Sequence, residues 1–374
     1  MIVLALYLLH TLVLSRGCLA FPIQLFPNKH GLFQSIGMDS FAGFCVTVVA
    51  LARRPWKARA VDEVVAVDAE READVAVGGL VHWAGEETAA SSSIGPPPVT
   101  RKRLPLPWAV DRPTNRLLSV GLMAVLVVGH YLSGYLSLIV EYCLYFLAAA
   151  GLPLTVAMHR SLQVLVSHLL WVAFGAKVLG TRLRPFFTPV AAEEGGGGLD
   201  ASARPPGGSD RWLTMGWRCS NWAWWVVGGY YASSFVFAIT DLANQFILPD
   251  TAFEAAESVV TLMINPENND RLAMAVASIA PCVTAPWWEE VLYRGFMLPA
   301  LTLFMPPRLQ GWLAIPISGL LFGLHHQALN SLLPLTALGA VWALLYRLSS
   351  NLTVTIMIHA MWNSRVFLGS ALGL

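Results

Sequence analysis

From residue 117 to its end the chain is a succession of apolar segments, each bounded by proline, glycine or charge. The pattern predicts helices over 117–138, 139–157, 161–181, 221–244, 270–285, 287–304, 312–327, 332–348 and 352–371. Most are long enough to cross a hydrocarbon core roughly 30 Å thick; the shorter late ones cross partly or as joined pieces. In lipid every backbone N–H and C=O must be paired within the protein, so apolar segments of this length become helices. Composition agrees: 56% of the 374 residues are hydrophobic and 13% charged. That charged share is about half of the soluble-protein norm, too little to clothe a water-facing surface. The expected fold is all-α, a polytopic transmembrane bundle of about eight helices.

Several classes are excluded. A net charge of +1 and a pI near 7.7 lack the basic excess of a nucleic-acid binder. The five cysteines, Cys18, Cys45, Cys143, Cys219 and Cys282, are scattered without a CxxC, so neither a disulfide framework nor a thiolate zinc site is indicated. No repeat occurs at solenoid periods.

Composition shifts divide the chain. Residues 1–20 form a short apolar run ending in small residues, which reads as a signal-peptide-like segment with cleavage before Phe21. The alternative, a first membrane helix, is weakened by His10, Ser15 and Arg16. Residues 21–61 are basic and acid-poor, carrying Lys29, Arg53, Arg54, Lys57 and Arg59. Together the two resemble the bipartite leaders of proteins imported into secondary plastids. Residues 62–116 hold the runs DEVVAVDAEREAD and SSSIGPPP and read as a disordered linker. Three front helices come next within 117–181, then a flexible connector at 182–211 containing GGGG and PPGG, then a back unit at 212–374. Trp212, Trp217, Trp222, Trp224 and Trp225 open that unit, as at a membrane–water interface. Arg101, Lys102, Arg103, Arg112 and Arg116 precede the front helices, and Arg182, Arg184, Arg211 and Arg218 succeed them. Three crossings would put these two basic clusters on opposite sides, against the positive-inside rule, so charge leaves the orientation open.

Charges inside apolar helices require an account, since each costs on the order of 2.5–3.5 kcal/mol at the bilayer centre on insertion scales. The densest set is the run WWEEVLYRGF, residues 287–296. On a helix Glu290 and Arg294 are i,i+4 and pair, whereas Glu289 projects about 100° away as an unpaired carboxylate. Downstream, Phe322 and His326 are i,i+4 with His325 turned off that face, and His359 and Asn363 are i,i+4 on another helix. Three helices with inward polar groups converge on one pocket, because other arrangements expose those groups to lipid.

Such a pocket permits hydrolysis. A desolvated carboxylate beside an imidazole can hold and deprotonate water. A second imidazole with an amide can donate to a developing oxyanion. Alternatively, Glu289, His326 and His359 would bind a divalent metal such as zinc, which lowers the pKa of its water instead. No serine sits in a GxSxG elbow, and Cys282 has no activating partner in the sequence. Glu141, His130, His168 and Asp241 lie in other apolar stretches and no motif places them; they either line the cavity or, the commoner case, are polar groups satisfied by packing.

EEVLYR at 289–294, FGLHH at 322–326 and HAMWN at 359–363, in that order, resemble the CPBP intramembrane protease family. This family, also called CAAX protease and bacteriocin-processing or ABI, includes the type II CAAX prenyl endopeptidases, among them CAAX prenyl protease 2. Gly339, Tyr346 and Asn351-Leu352 are similar to the family's link between its second and third motifs. The resemblance covers 270–371, within the back unit, and the wider context WWEEVLYRGF and IHAMWNSRVFLG looks like the plastid members of plants and algae. It implies a Glu289–His326 pair activating water and His359 with Asn363 stabilising the oxyanion. Glu290, Arg294, Phe322 and His325 fall to supporting roles. The implied partner is a membrane-embedded or lipidated protein or peptide in a lipid bilayer, with no nucleic acid. A plastid protein would not meet prenylated CAAX substrates at the endoplasmic reticulum, so the substrate does not follow from the resemblance. The competing reading is a non-catalytic plastid membrane scaffold of the same fold that stabilises partner proteins. A transporter is disfavoured because the polar residues collect in one pocket and no repeat symmetry is visible.

Overall fold

The computed structural model describes residues 1–20, 35–53, 116–182, 221–253, 259–306, 309–349 and 351–373. The leader-like residues 21–34, most of the linker and nearly all of the 182–211 connector therefore lie outside the described residues, as do Trp212 and Trp217. The chain divides into two compact units, 1–49 with 107–374, and 50–106. The second is described only over 50–53, the end of a helix; the helical body and its polar motifs belong to the first.

The described residues are overwhelmingly helical. A helix α1 (Ile2–Leu12) leads into a short antiparallel pair, β1 (Cys18–Ala20) with β2 (Ser35–Gly37), and then α2 (Met38–Arg53). The body continues with α3 (Arg116–Ala149), α4 (Val156–Arg182), α5 (Trp222–Ile247), α6 (Val259–Ile264) and α7 (Arg271–Ile279). From α7 the chain winds on without a break through a π-turn (Ala280–Thr284), α8 (Ala285–Glu290), a second π-turn (Val291–Met297) and α9 (Leu298–Thr302). It ends with α10 (Gln310–His325), α11 (Leu332–Ser349) and α12 (Leu352–Ala371). Helices over 116–149, 156–182, 222–247 and 329–349 are long and apolar enough to cross a membrane. The all-α membrane bundle expected from the apolar pattern is the fold observed.

Two predicted boundaries are wrong. The separate helices expected over 117–138 and 139–157 are one, α3, because neither proline nor glycine stands at 137–139. The break comes at Gly151 (φ 97°) and Pro153, where the left-handed conformation and the missing N–H end the helix. The front unit thus has two helices and not three. They run antiparallel, with Gln163 Nε2 donating to Ser137 Oγ (3.3 Å) and Glu141 (3.2 Å), and Tyr145 against His159. The second change of boundary joins 270–285 and 287–304 into one continuous run, the joined-piece case expected of the shorter late helices. Pro281, Pro286 and Pro299 each remove a helical donor, and the chain absorbs the gaps as π-turns rather than a loop.

The segment 1–20, read from sequence as leader-like, packs against α5 and α12 here. Tyr7 Oη lies 2.8 Å from Ser364 Oγ, and Tyr231 donates to the Leu6 carbonyl at 3.1 Å. His10 is fully buried edge-on to Tyr230 and Tyr231, 3.9 Å from Asp39.

The α10–α11 pair supports one side of the polar cluster, through His326 at the end of α10 and the Gly339 carbonyl of α11. Gly319 and Gly323 form a GxxxG face on α10, and added Cβ atoms there would meet Thr336 and Ala340 of α11 at 2.5–3.0 Å. Between apolar helices in lipid, close approach supplies the association, and only glycine permits it here.

Candidate active site

Glu289 and Glu290 end α8, and the π-turn after them sets where Arg294 points. Glu290 and Arg294 are both fully buried, with Arg294 Nη1 donating to Glu290 Oε1 at 2.8 Å. Arg294 Nη2 donates to the Gly339 carbonyl at 2.8 Å, and its guanidinium stacks 4.9 Å over the Phe322 ring. The pair anticipated from i,i+4 spacing exists, and it is anchored to α11.

The second acceptor bond of Glu290 fixes His359 on α12, whose Nδ1 lies 3.2 Å from Glu290 Oε1. A carboxylate already bound by arginine only accepts, so His359 donates its Nδ1–H and keeps the Nε2 lone pair free. Trp342 lies against this imidazole (4.5 Å, 37°) and donates its own Nε1–H to Ser233 Oγ at 2.9 Å. His326 caps α10 and is set in the same way. Its Nδ1 is 2.9 Å from the Phe322 carbonyl, which can only accept, so Nε2 carries the free lone pair.

Both free Nε2 atoms face Glu289. Its Oε2 lies 3.9 Å from His326 Nε2 and 4.0 Å from His359 Nε2. The Glu289 side chain is 12% exposed, and Oε2 is buried with no hydrogen-bond partner. Three acceptors thus converge; a water brought among them donates to two, and the third joins only once it is protonated. Among the described residues no group of three His, Cys, Asp or Glu side chains stands at metal-ligand spacing; of the set Glu289, His326 and His359, Glu289 Oε2 lies within 4.0 Å of both Nε2 atoms.

Other anticipated residues fall differently. Asn363 Nδ2 donates to the Pro281 carbonyl at 2.7 Å, tying α12 to the first π-turn. Phe322 packs beside both imidazoles (4.8 Å to His326, 5.9 Å to His359). His325 turns away from them and stacks on His130 of α3 at 3.8 Å. Glu141 and Asp241 are satisfied by Gln163 and Gln245, as read from sequence. His130 and His168 are not mere packing: they line a cavity of about 260 Å³ that Glu289 and His325 also line. Cavity lining was one of the two readings the sequence offered for them, and spacing could not decide it, because they lie on α3 and α4, more than 110 residues before the motifs. Trp342 and the Gly339 carbonyl were missed; both act through partners that only folding supplies.

Fold and site together define a polytopic helical membrane protein with a carboxylate–imidazole cluster inside its bundle. Residues 271–365 match the family described as Rce1-like, type II CAAX prenyl endopeptidase Rce1-like, about a quarter of the chain. The carboxy-terminal region, from α7 through most of α12, is thus an Rce1-like domain, similar at family level to CAAX-protease-like intramembrane endopeptidases. That family implies a membrane-associated protein substrate. No curated protein and no solved structure matches the chain.

Proposed function

We propose that the chain is an intramembrane endopeptidase that hydrolyses a peptide bond of a membrane-associated protein or peptide. The observation that carries this reading is the buried, unpartnered Glu289 Oε2 facing two free imidazole nitrogens within 4.0 Å. A water in that gap is oriented by Glu289, which takes its proton as the oxygen attacks the carbonyl carbon. His326 Nε2, held in one tautomer by the Phe322 carbonyl, positions the same water and relays the proton to the leaving amine. To stabilise the oxyanion, His359 must carry a proton on Nε2 as well; with Arg294 already on Glu290, the two carboxylates Glu290 and Glu289 together offset the two cations. Asn363 contributes the amide hydrogen that Pro281 does not use.

A plastid membrane is the compartment favoured by the basic, acid-poor residues 21–61 and by the plastid-like motif context. A fluorescent fusion of the full chain, imaged against plastid pigment, tests that placement.

The experiment for the activity is rescue of cells lacking the protein by the native chain or Glu289→Gln at equal membrane abundance, with the membrane proteome compared for uncleaved species. Loss of the carboxylate base is expected to slow cleavage about 10²–10⁴-fold, so a precursor accumulates and names the substrate. Full rescue by Glu289→Gln would sink the protease reading and leave the non-catalytic scaffold. With water activated by Glu289, cleavage is expected to survive exhaustive chelation; its loss on chelation and return with zinc would reassign Glu289, His326 and His359 as ligands.

A further inference from the structure

The cavity beside Glu289 is walled largely by the α3–α4 hairpin, which lies outside the Rce1-like domain. On α3 the lining residues His130, Ser133, Gly134 and Ser137 recur at i, i+3, i+4 and i+7, one face of the helix. From α4 come Val164, Ser167, His168 and Trp171, again one face. The groove between these two membrane helices is lined by small serines and a glycine with two imidazoles, beside Val164 and the Trp171 and Trp288 rings. Two indole nitrogens on its wall, Trp171 Nε1 and Trp288 Nε1, are buried without a hydrogen-bond partner, as is Glu289 Oε2. Trp171 is 5% exposed and Trp288 1%, so bulk water does not satisfy them. A buried indole N–H normally finds an acceptor. Two that lack one, on side chains lining the same cavity, are donors that a ligand's acceptors would satisfy once it parts the wall.

We infer that the α3–α4 hairpin forms the substrate groove, with the Trp171 and Trp288 N–H groups receiving main-chain carbonyls of an extended peptide segment beside the scissile bond. This rests on the endopeptidase reading for the identity of the ligand. The physical reason is general. A helix must unwind locally before its peptide bond can be attacked, and the carbonyls freed in lipid have no water to turn to. A groove with small side chains lets that backbone approach, and fixed N–H donors replace the bonds it gave up. His130, stacked on His325, ties the hairpin to the end of α10 that carries His326, so the groove and the water site share one support.

Gly134 offers the test, because a Cβ there meets nothing within 4 Å and the same is true of Gly121 on the same helix. The two positions are about 20 Å apart at 1.5 Å per residue, and only Gly134 lines the cavity. The full chain carrying Gly134→Cys or Gly121→Cys, with and without Glu289→Gln, is mixed in vesicles with an apolar peptide of transmembrane length whose single cysteine is a thiopyridyl disulfide. Exchange onto position 134 is located by mass spectrometry. The expected result is at least fivefold more adduct at 134 than at 121, suppressed by excess cysteine-free peptide and lowered severalfold by Trp171→Phe. Equal labelling of the two positions, or insensitivity to Trp171→Phe, would overturn the inference. Preference for 134 in a chain whose Glu289→Gln form rescues cells would keep the groove and remove the protease. Cleavage lost with Glu289→Gln but no preference for 134 would do the reverse.

Discussion

His359 and His326 show how one bond decides a side chain's chemistry. Each has its Nδ1–H donated to a fixed acceptor, Glu290 in one case and the Phe322 carbonyl in the other. Their Nε2 atoms are therefore left for Glu289, a tautomer choice that the motif letters do not state. Removing only one member of the buried Glu290–Arg294 pair leaves a charge in a dry interior. Arg294→Met is expected to cost about 3–5 kcal/mol, read as a fall in the thermal midpoint in detergent. Replacing both, Glu290→Leu with Arg294→Met, is expected to recover most of that stability. Cleavage should stay roughly 10²-fold down, because His359 has lost its orienting carboxylate. Recovery of activity together with stability would show that Glu290 serves the fold alone. Asp270, at the exposed start of α7, is a simpler case. The Ala273 N–H and the Thr155 hydroxyl donate to it and hold its carboxyl below the usual carboxylate range. A lowered native pKa means the stabilisation is full above the ordinary value, about 3.9, and fades as pH falls through the lower native one. Asp270→Asn keeps a cap but is expected to abolish that acid-side dependence, checked by thermal midpoints across the acid range.

At the scale of elements, the prolines explain why a rod of joined short helices carries the carboxylates. Pro281, Pro286 and Pro299 deny the regular ladder three donors, and the resulting π-turns shift the register on either side of Glu289 and Glu290. The freed Pro281 carbonyl takes Asn363 as its partner. That residue was legible as polar and inward-facing, but not as a brace between two elements. The glycine contact of α10 with α11 is the other determinant. Gly319→Ala would place a Cβ within 2.5 Å of the Thr336 carbonyl and 2.7 Å of the Ala340 nitrogen, so the helices must part. Overpacking of this kind costs about 1–3 kcal/mol. It also pushes Phe322 and the Gly339 carbonyl away from Arg294, so cleavage should fall with stability. Thermal unfolding and turnover measured on the same preparation check both halves. Gly121→Ala, with open space at its Cβ, is expected to change neither.

For the whole molecule, merging the first two predicted helices changes the topology. With two crossings in place of three, Arg116 and Arg182 stand at the same end of the α3–α4 hairpin. These two are the members of the basic clusters that lie within the described residues, and standing at one end they no longer oppose each other under the positive-inside rule. Cysteines placed at Arg116 and Arg182 are expected to react with an impermeant thiol reagent from one side of sealed vesicles, and a cysteine at Leu152 from the other. Labelling of 116 and 182 from opposite sides would refute the hairpin. The amino-acid sequence by itself determined the solvent, the helical class, the three polar motifs and the Glu290–Arg294 pair. Each of these follows from composition or from spacing within one helix, where periodicity fixes which residues are neighbours. The partners of Glu289 and the α3–α4 wall of its cavity were decided by tertiary structure, as were the acceptors that set each imidazole. All of these depend on which helices touch and in what register, and no spacing along one segment encodes the distance between two.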